Sequence, residues 1–452
     1  MHLGSRGGMK AQQILCCYNV NIDSVCTVDG AKVAEYLRDY KITDPPESID
    51  LIRDMSDLLA LLLVCMRRGT GGEYQLELPA AIGELSSLVK DEPVLRLGGN
   101  AGIAADVLSK LGAAVVIPNV ASLSRKQADL LAGDAIQIPV YRDRDGDIVL
   151  SKPCDAVRDE RDSIHHVFDF KKGEEIVLPD QTIRAPCDNR LIATYDPKNI
   201  AIYVDPAFED FSDAHIREMD GVLVAGLHML QGLYPDRSTY LDRMRRITAQ
   251  LQGWKSSNPD LLMHFESGDF LNSRIQDYVI ASISGIVDSI GMNEQEFLGD
   301  DASVSGKDII EKSVEMIEEL GMSRLCVHAR DFIVSTFDPA YIDPAAEIDA
   351  LNAGAAASAV RAERGYVDKD MLPDAARDMV PNGSGVRECS TVQEYFGGMK
   401  AGDGVHITLG GYSVCIVPSL WCEHPVTTVG LGDTMTAAVF LRELELTHRN
   451  QG

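Results

Sequence analysis

No hydrophobic run in this chain approaches the ~20 residues that a membrane-spanning helix needs. The longest, residues 58–66, has Asp54 and Asp57 before it and Arg67 and Arg68 after it. That charge order suits a helix dipole, so the run reads as a buried helix. Positive charge is scarce as well. Lys and Arg number 42 against 69 Asp and Glu, a formal net charge of -27, and no basic cluster exceeds pairs such as Arg67-Arg68 or Lys171-Lys172. Nucleic acid and anionic membrane would both be repelled, so neither is expected as a partner. The ten cysteines are scattered, with no C-x-x-C pair and no Cys/His ligand spacing. This argues against structural zinc and for reduced thiols in a cytoplasmic protein. No signal-like apolar segment opens the chain, and residues 1–8 read as an unstructured leader.

What is present is a globular composition. With 452 residues, 45% hydrophobic and 25% charged, the chain can bury a large core over two or three domains. Its most informative stretch is Thr427-Thr428-Val429-Gly430-Leu431-Gly432-Asp433-Thr434, followed by Ala437, Ala438, Phe440, Leu441 and Leu444 at helical spacing. Two glycines let backbone N–H groups approach an anion, and a helix start adds the positive end of a dipole. Asp433 is then placed to take a proton from an attacking hydroxyl. A Gly-rich turn with Asp near a helix start is the plainer alternative.

Earlier in the chain, residues 13–18 read as a strand running into Asn19-Val20-Asn21-Ile22-Asp23. Asn21 and Asp23, two apart, share a side and can hold sugar hydroxyls, although taken alone an Asx-rich turn is the plainer account of them. Residues 30–90 read as mostly helical, with a loop at 68–73. Arg96-Leu97-Gly98-Gly99-Asn100-Ala101-Gly102 is a second Gly-rich turn opening a helix that Gly112 ends, and it suits backbone approach to a sugar. Residues 136–142, 165–170, 175–178 and 190–195 form a β-rich meander, a separate sheet carrying Lys171, Lys172 and Arg190 as phosphate contacts or solvated charges.

Apolar runs at 201–204, 222–225, 261–264, 286–287 and 325–328 then alternate with helical stretches, the rhythm of a parallel covered sheet. Glu266, Asn293 and Glu296 follow strand ends and are oxygen donors suited to Mg²⁺ held partly through water, although residues 294–296 also read as a solvated helical turn. Residues 338–403 read as a helical excursion, and a hairpin at 405–417 returns the chain to the Asp433 motif.

Taken together, N-x-N-I-D at 19–23, G-G-N-A-G at 98–102, H-x-E at His264 and Glu266, N-x-x-E at 293–296 and T-V-G-L-G-D at 428–433 resemble the ADP-dependent sugar kinases of archaea. This glucokinase and phosphofructokinase family lies within the ribokinase-like superfamily. The matches run in family order over residues 13–445. The resemblance implies a ribokinase-like α/β fold, a mostly parallel central sheet covered by helices, with a smaller β-rich α/β lid domain. Residues 13–21, 97–135 and 197–452 would form the large domain, and 22–96 and 136–196 the lid. It further implies Mg²⁺, ADP as phosphoryl donor, a sugar or sugar phosphate as acceptor, and a monomer or small homo-oligomer.

By the same resemblance Asp433 is the base, with the amides of Gly430 and Gly432 and the lid arginine Arg190 acting on the transferred phosphoryl group. Asn21, Asp23, Gly99, Asn100, Lys172 and Asn189 match substrate positions, and Thr428, Val429 and Leu431 flank the phosphates of ADP. Glu266, Asn293, Glu296 and Asp433 are the metal set. Gly72, if it precedes the glutamate shared across the family, is small where glucose-specific members place a carboxylate, which favours fructose 6-phosphate over glucose. Two departures stand out: Asn100 replaces a Gln of many relatives, and Ala329-Arg330-Asp331 lacks an aromatic-rich continuation. An ATP-dependent ribokinase-like kinase shares the G-x-G-D chemistry. A non-enzymatic sensor on this scaffold would have no need of Asp433, Glu266 and Glu296.

Overall fold

The computed structural model describes residues 12–42, 49, 51–77, 88–142, 146–299 and 305–449. The leader at 1–8 and the turn residues 143–145 lie outside them. A ten-stranded sheet forms the larger layer. Six parallel strands come first: Val115–Pro118, Gln13–Cys17, Gly221–Val224, Leu262–Glu266, Ser289–Asn293 and Arg324–His328. Four antiparallel strands complete it: Phe332–Phe337, Tyr412–Pro418, Gly404–Leu409 and Met399–Ala401. The central parallel strands are buried on both faces, as continuous apolar runs require. One core cluster holds Phe208, Trp254, Val279 and Ile310 against one face; another holds Ala104, Val107, Ala357, Phe440 and Leu444 against the opposite one. The structure is thus the α/β arrangement expected, a mostly parallel central sheet covered by helices.

A second, six-stranded sheet runs Leu51–Ile52, Gly72–Leu76, Asn189–Tyr195, Ile164–Phe170, Asn21–Thr27 and Val94–Gly98. Its alternation is sharp. Phe168, Phe170, Leu191, Ala193 and Cys26 join a core with the Gly30–Asp39 and Met55–Arg68 helices. By the period of two, Asp23, His165, Asp169, Arg190 and Thr194 take the other face. Residues 58–66 are buried as expected; Asp54 caps their helix and a left-handed Gly69 ends it.

Several expectations fail. Residues 201–204 are not a strand, because the amides of Ile202 and Tyr203 bond back to Asn199 and Lys198 of the preceding helical turn. Residues 286–287 likewise bond back to Ile283, and the strand begins at Ser289. Gly72–Leu76, which spans the end of the expected loop and residues expected to be helical, is a strand because Asn189–Tyr195 supplies its ladder partner. The β-rich region is not one meander. Ile138–Tyr141 pairs with Ile148–Ser151 as a separate hairpin, Ile136 bridges to Val116 of the larger sheet, and Ile136, Ile138 and Ala156 pack with Val120 and Leu123.

Candidate active site

The parallel strands of the larger sheet deliver Glu266, Asn293 and His328 at their C-terminal ends, where open α/β sheets take ligands. The Leu431–Arg449 helix begins beside them. Gly430 has φ +69, a left-handed conformation natural to glycine, and a Cβ there would stand 2.8 Å from Ile103 and 3.0 Å from Arg361 Nη2. At Gly432 a Cβ would meet His328 Cε1 at 2.8 Å. The two glycines thus let Arg361 and His328 close on the loop. Leu431, Gly432 and Asp433 are the first helical residues, so their amides precede the first intrahelical bond. Thr428 is exposed, Val429 donates its amide to Thr427 Oγ1, and its carbonyl accepts from Arg361 Nε at 3.3 Å.

Asp433 sits at the centre. Asn100, first residue of its own helix, donates its side-chain amide to Asp433 Oδ1 at 2.7 Å. Burial, then the nearby charge of Glu266, raises the Asp433 carboxyl above its ordinary range, while Asn100, Arg361 and His328 oppose the rise. Gly99 caps the Asn100 helix with φ +78, and a Cβ would strike the Asn19 carbonyl oxygen at 2.6 Å. The antiparallel register sets Asn21 opposite Gly98 and Asp23 opposite Arg96, bringing N-x-N-I-D and G-G-N-A-G onto neighbouring strands. Asn21 is fully buried, donates to Asp23 Oδ1 at 2.8 Å, and leaves its own Oδ1 without a partner. Asp23 is pushed up to about 6, first by burial.

Beneath these lies His165, whose Nε2 is 3.2 Å from Asp196 and whose Nδ1 is 3.2 Å from Glu73. Burial alone would lower its pKa, but Glu73, Asp196 and Asp23 raise it to about 9. Arg190 is half-buried on the polar face, and its charge acts on Asp23 and Asp169.

Among the metal set, Glu266 is fully engaged. Its Oε1 accepts from His328 at 3.0 Å, and its Oε2 accepts from Thr436 at 2.9 Å and His264 at 3.3 Å. Burial works against its charge, yet these donors hold it at about 2. Glu296 is pushed up to about 8 by burial and then by Glu266, a pair of carboxylates with too little positive charge around it. A divalent cation fits that imbalance, and both residues are hard oxygen donors. Both Glu296 oxygens, however, accept from Asn293, and Asn293 Oδ1 accepts from the amides of Gln295 and Glu296. Among the described residues no three His, Cys, Asp or Glu are grouped to grip an ion directly. The donor set therefore suits a cation holding its own waters, and Asn293 serves the helix cap.

Two further residues expected at the substrate have these settings. Lys172 lies exposed in the turn after the Ile164–Phe170 strand, where its backbone amide donates to the Asp188 carboxylate at 2.6 Å. Asn189 is spent on backbone: it donates to the Gly69 carbonyl at 2.9 Å and accepts from the Arg190 amide. Sequence reasoning missed Arg361, which sits in an Ala-rich helix with no local signal, and Asn19, whose side chain bonds Asn100 and the Ala101 amide. It also gave no role to Arg96, which donates to Thr427 Oγ1 at 3.1 Å, or to His328.

Comparison with known proteins identifies the family. The sequence profile described as the ADP-specific phosphofructokinase/glucokinase conserved region matches residues 12–442. The chain is 25% identical to the ADP-specific phosphofructokinase of Methanosarcina acetivorans, over 94% of this chain and 92% of that protein. It is 24% identical to the ADP-dependent glucose/glucosamine kinase of Pyrococcus furiosus, over 97% and 95%. A solved ADP-dependent kinase, in complex with fructose 6-phosphate and ADPβS, superposes with a TM-score of 0.80 at 24% identity, covering 96% of this chain and 94% of that one. At that identity the last likeness speaks to the fold. With the profile spanning nearly the whole chain, this protein belongs to the ADP-specific phosphofructokinase/glucokinase family.

Proposed function

We propose that the protein transfers the β-phosphate of ADP to the 1-hydroxyl of fructose 6-phosphate, giving fructose 1,6-bisphosphate and AMP. The observation that carries the reading is the setting of Asp433: a carboxylate oriented by Asn100, at the start of a helix, with Arg361 close to Gly430 in the same loop. Asn21, Asp23 and Gly99 hold the sugar against the edge of the second sheet. Asp433 takes the proton of the hydroxyl, whose oxygen attacks the β-phosphorus in line as AMP leaves. The amides of residues 430–433 and the helix dipole meet the charge on the transferred group, while Thr428, Val429 and Leu431 flank the donor phosphates. Arg361 and Arg190 add the positive charge that an acidic protein otherwise lacks. Magnesium belongs to the proposal: Glu266, Glu296 and Asp433 would hold it, largely through water, and it would supply positive charge against the phosphates.

Fructose 6-phosphate is preferred because Gly72 brings no carboxylate toward a sugar phosphate, and Glu73 accepts from Thr194 at 2.6 Å and contacts His165. Glucose is the second reading, favoured by the kinship with a glucose/glucosamine kinase. A coupled assay with Mg²⁺, offering ADP or ATP and each sugar separately, decides. Turnover with ATP alone ends the ADP reading, and glucose as the better acceptor reverses the sugar. The proposal extends to domain organisation: the six-stranded sheet with its two helices forms the smaller unit, and residues 136–160 go with the larger one on whose sheet edge they pack. Action in the cytoplasm as a monomer or small homo-oligomer completes it.

A further inference from the structure

Three residues on consecutive parallel strands of the larger sheet stand in one rank: His264 is the register partner of Ser289, and Ser289 of Arg324. All are at most 3% exposed. Arg324 is held from behind by Glu347, at 2.8 Å from Nη2, and by Glu443, at 3.0 Å from Nε, and Tyr341 donates to Glu443 at 3.1 Å. Its remaining arm, Nη1, donates to Ser289 Oγ at 2.8 Å. Ser289 Oγ is 2.9 Å from His264 Nδ1, and His264 Nε2 is 3.3 Å from Glu266 Oε2.

The two ends fix every proton between them. Arg324 can only donate, so the Ser289 hydroxyl accepts from it and turns its own hydrogen onto His264 Nδ1. A neutral imidazole that accepts at Nδ1 carries its hydrogen at Nε2, where Glu266 receives it. The same Glu266 oxygen accepts from Thr436, three residues after Asp433 on the Leu431–Arg449 helix.

We infer that Arg324, Ser289 and His264 form a one-way hydrogen-bond relay that positions Glu266, with Ser289 as the link that selects the His264 tautomer. This rests on the proposed role of Glu266 toward Mg²⁺. His264, Ser289 and Arg324 touch no reacting atom and are positioning residues. Without the serine hydroxyl, His264 is free to carry its hydrogen at Nδ1 and to turn a lone pair toward the Glu266 carboxylate, which would push it from its place.

Ser289 is the residue to change, because removing Arg324 strands two buried glutamates and threatens folding. The full chain, with its histidines labelled at both ring nitrogens, is observed by nuclear magnetic resonance without nucleotide or sugar; His264 is assigned from His264→Gln. Wild type should show the Nε2-protonated form, Ser289→Ala a shift toward Nδ1, and Ser289→Thr the wild-type pattern. In the kinase assay Ser289→Ala should raise the Mg²⁺ concentration for half-maximal rate about tenfold, a size usual for residues behind metal ligands, and Ser289→Thr should restore it. A wild-type His264 protonated at Nδ1, an unchanged tautomer in Ser289→Ala, or an unchanged Mg²⁺ requirement overturns the relay. The spectrum needs no turnover, so a chain that fails with ADP sinks the proposed function while the tautomer still reports on the relay.

Discussion

Asn100 reaches Asp433 Oδ1 at 2.7 Å, and the Asn100 carbonyl is itself met by Asn19 Nδ2 at 3.3 Å. The amide that the sequence suggested for the sugar thus orients the proposed base. Asp433→Asn should lower kcat by about 10²–10⁴ while ADP binding persists, the range for a lost general base. Asn100→Ala, which removes a hydrogen bond to a charged group worth about 1.5–3 kcal/mol, should cost about 10- to 100-fold, mostly in kcat. Steady-state kinetics with calorimetric ADP binding checks both, and near-wild-type turnover by Asp433→Asn would remove it from the reaction.

Arg361 stands against Gly430 and donates to the Val429 carbonyl. If it meets charge that develops on the transferred group, Arg361→Met should lower kcat by about 10²–10³ with a smaller change in the KM for ADP. A change confined to KM would make it a ground-state anchor instead.

The buried His165 cluster makes stability depend on pH. His165 is raised to about 9 from an unfolded value of 6.5, so its contribution is complete below pH 6.5 and is lost as pH rises through 9. Asp23, raised to about 6, acts in the same direction between pH 4 and 6, and Asp196, lowered, acts oppositely below pH 4. In denaturant titrations His165 should contribute a fall on the order of 3 kcal/mol between pH 6.5 and 9, beside those of His328 and Glu296, which are raised into the same window. His165→Gln should flatten that fall, and an unchanged slope in this variant would dissociate His165 from it.

Chelation of divalent cations should abolish turnover and leave the folded state intact, because Glu266 and Glu296 are each satisfied by protein donors without an ion. Circular dichroism beside the kinase assay tests this. Unfolding on chelation would instead indicate a structural metal.

Much of this was legible in the sequence where the signal is local. Gly430, Gly432 and Asp433 announce a helix start, Gly99 and Gly112 bound another, and buried parallel strands show as apolar runs. What failed depended on distant partners. Gly72–Leu76 is a strand only because Asn189–Tyr195 pairs with it, and residues 201–204 fold back on Lys198 and Asn199 although their apolar pattern matches a strand. Arg361 reaches the Val429 carbonyl from a distant packed helix, which no local pattern announces.

The chain leaves the larger sheet at residues 18–20, returns at Gly99, and returns again after Tyr195. Asn199 ties the first and last of these passages by donating both to the Val20 carbonyl and to Asp196, which Ser163 and His165 also contact. Asn21, Asp23, Gly99 and Asn100 therefore sit at the axle between the two sheets. Any rotation of one sheet against the other would strain the segments that carry the residues assigned to the sugar and the base. If these residues hold the sugar as proposed, its binding and the angle between the sheets would be coupled, and a variant at the crossing should alter both together.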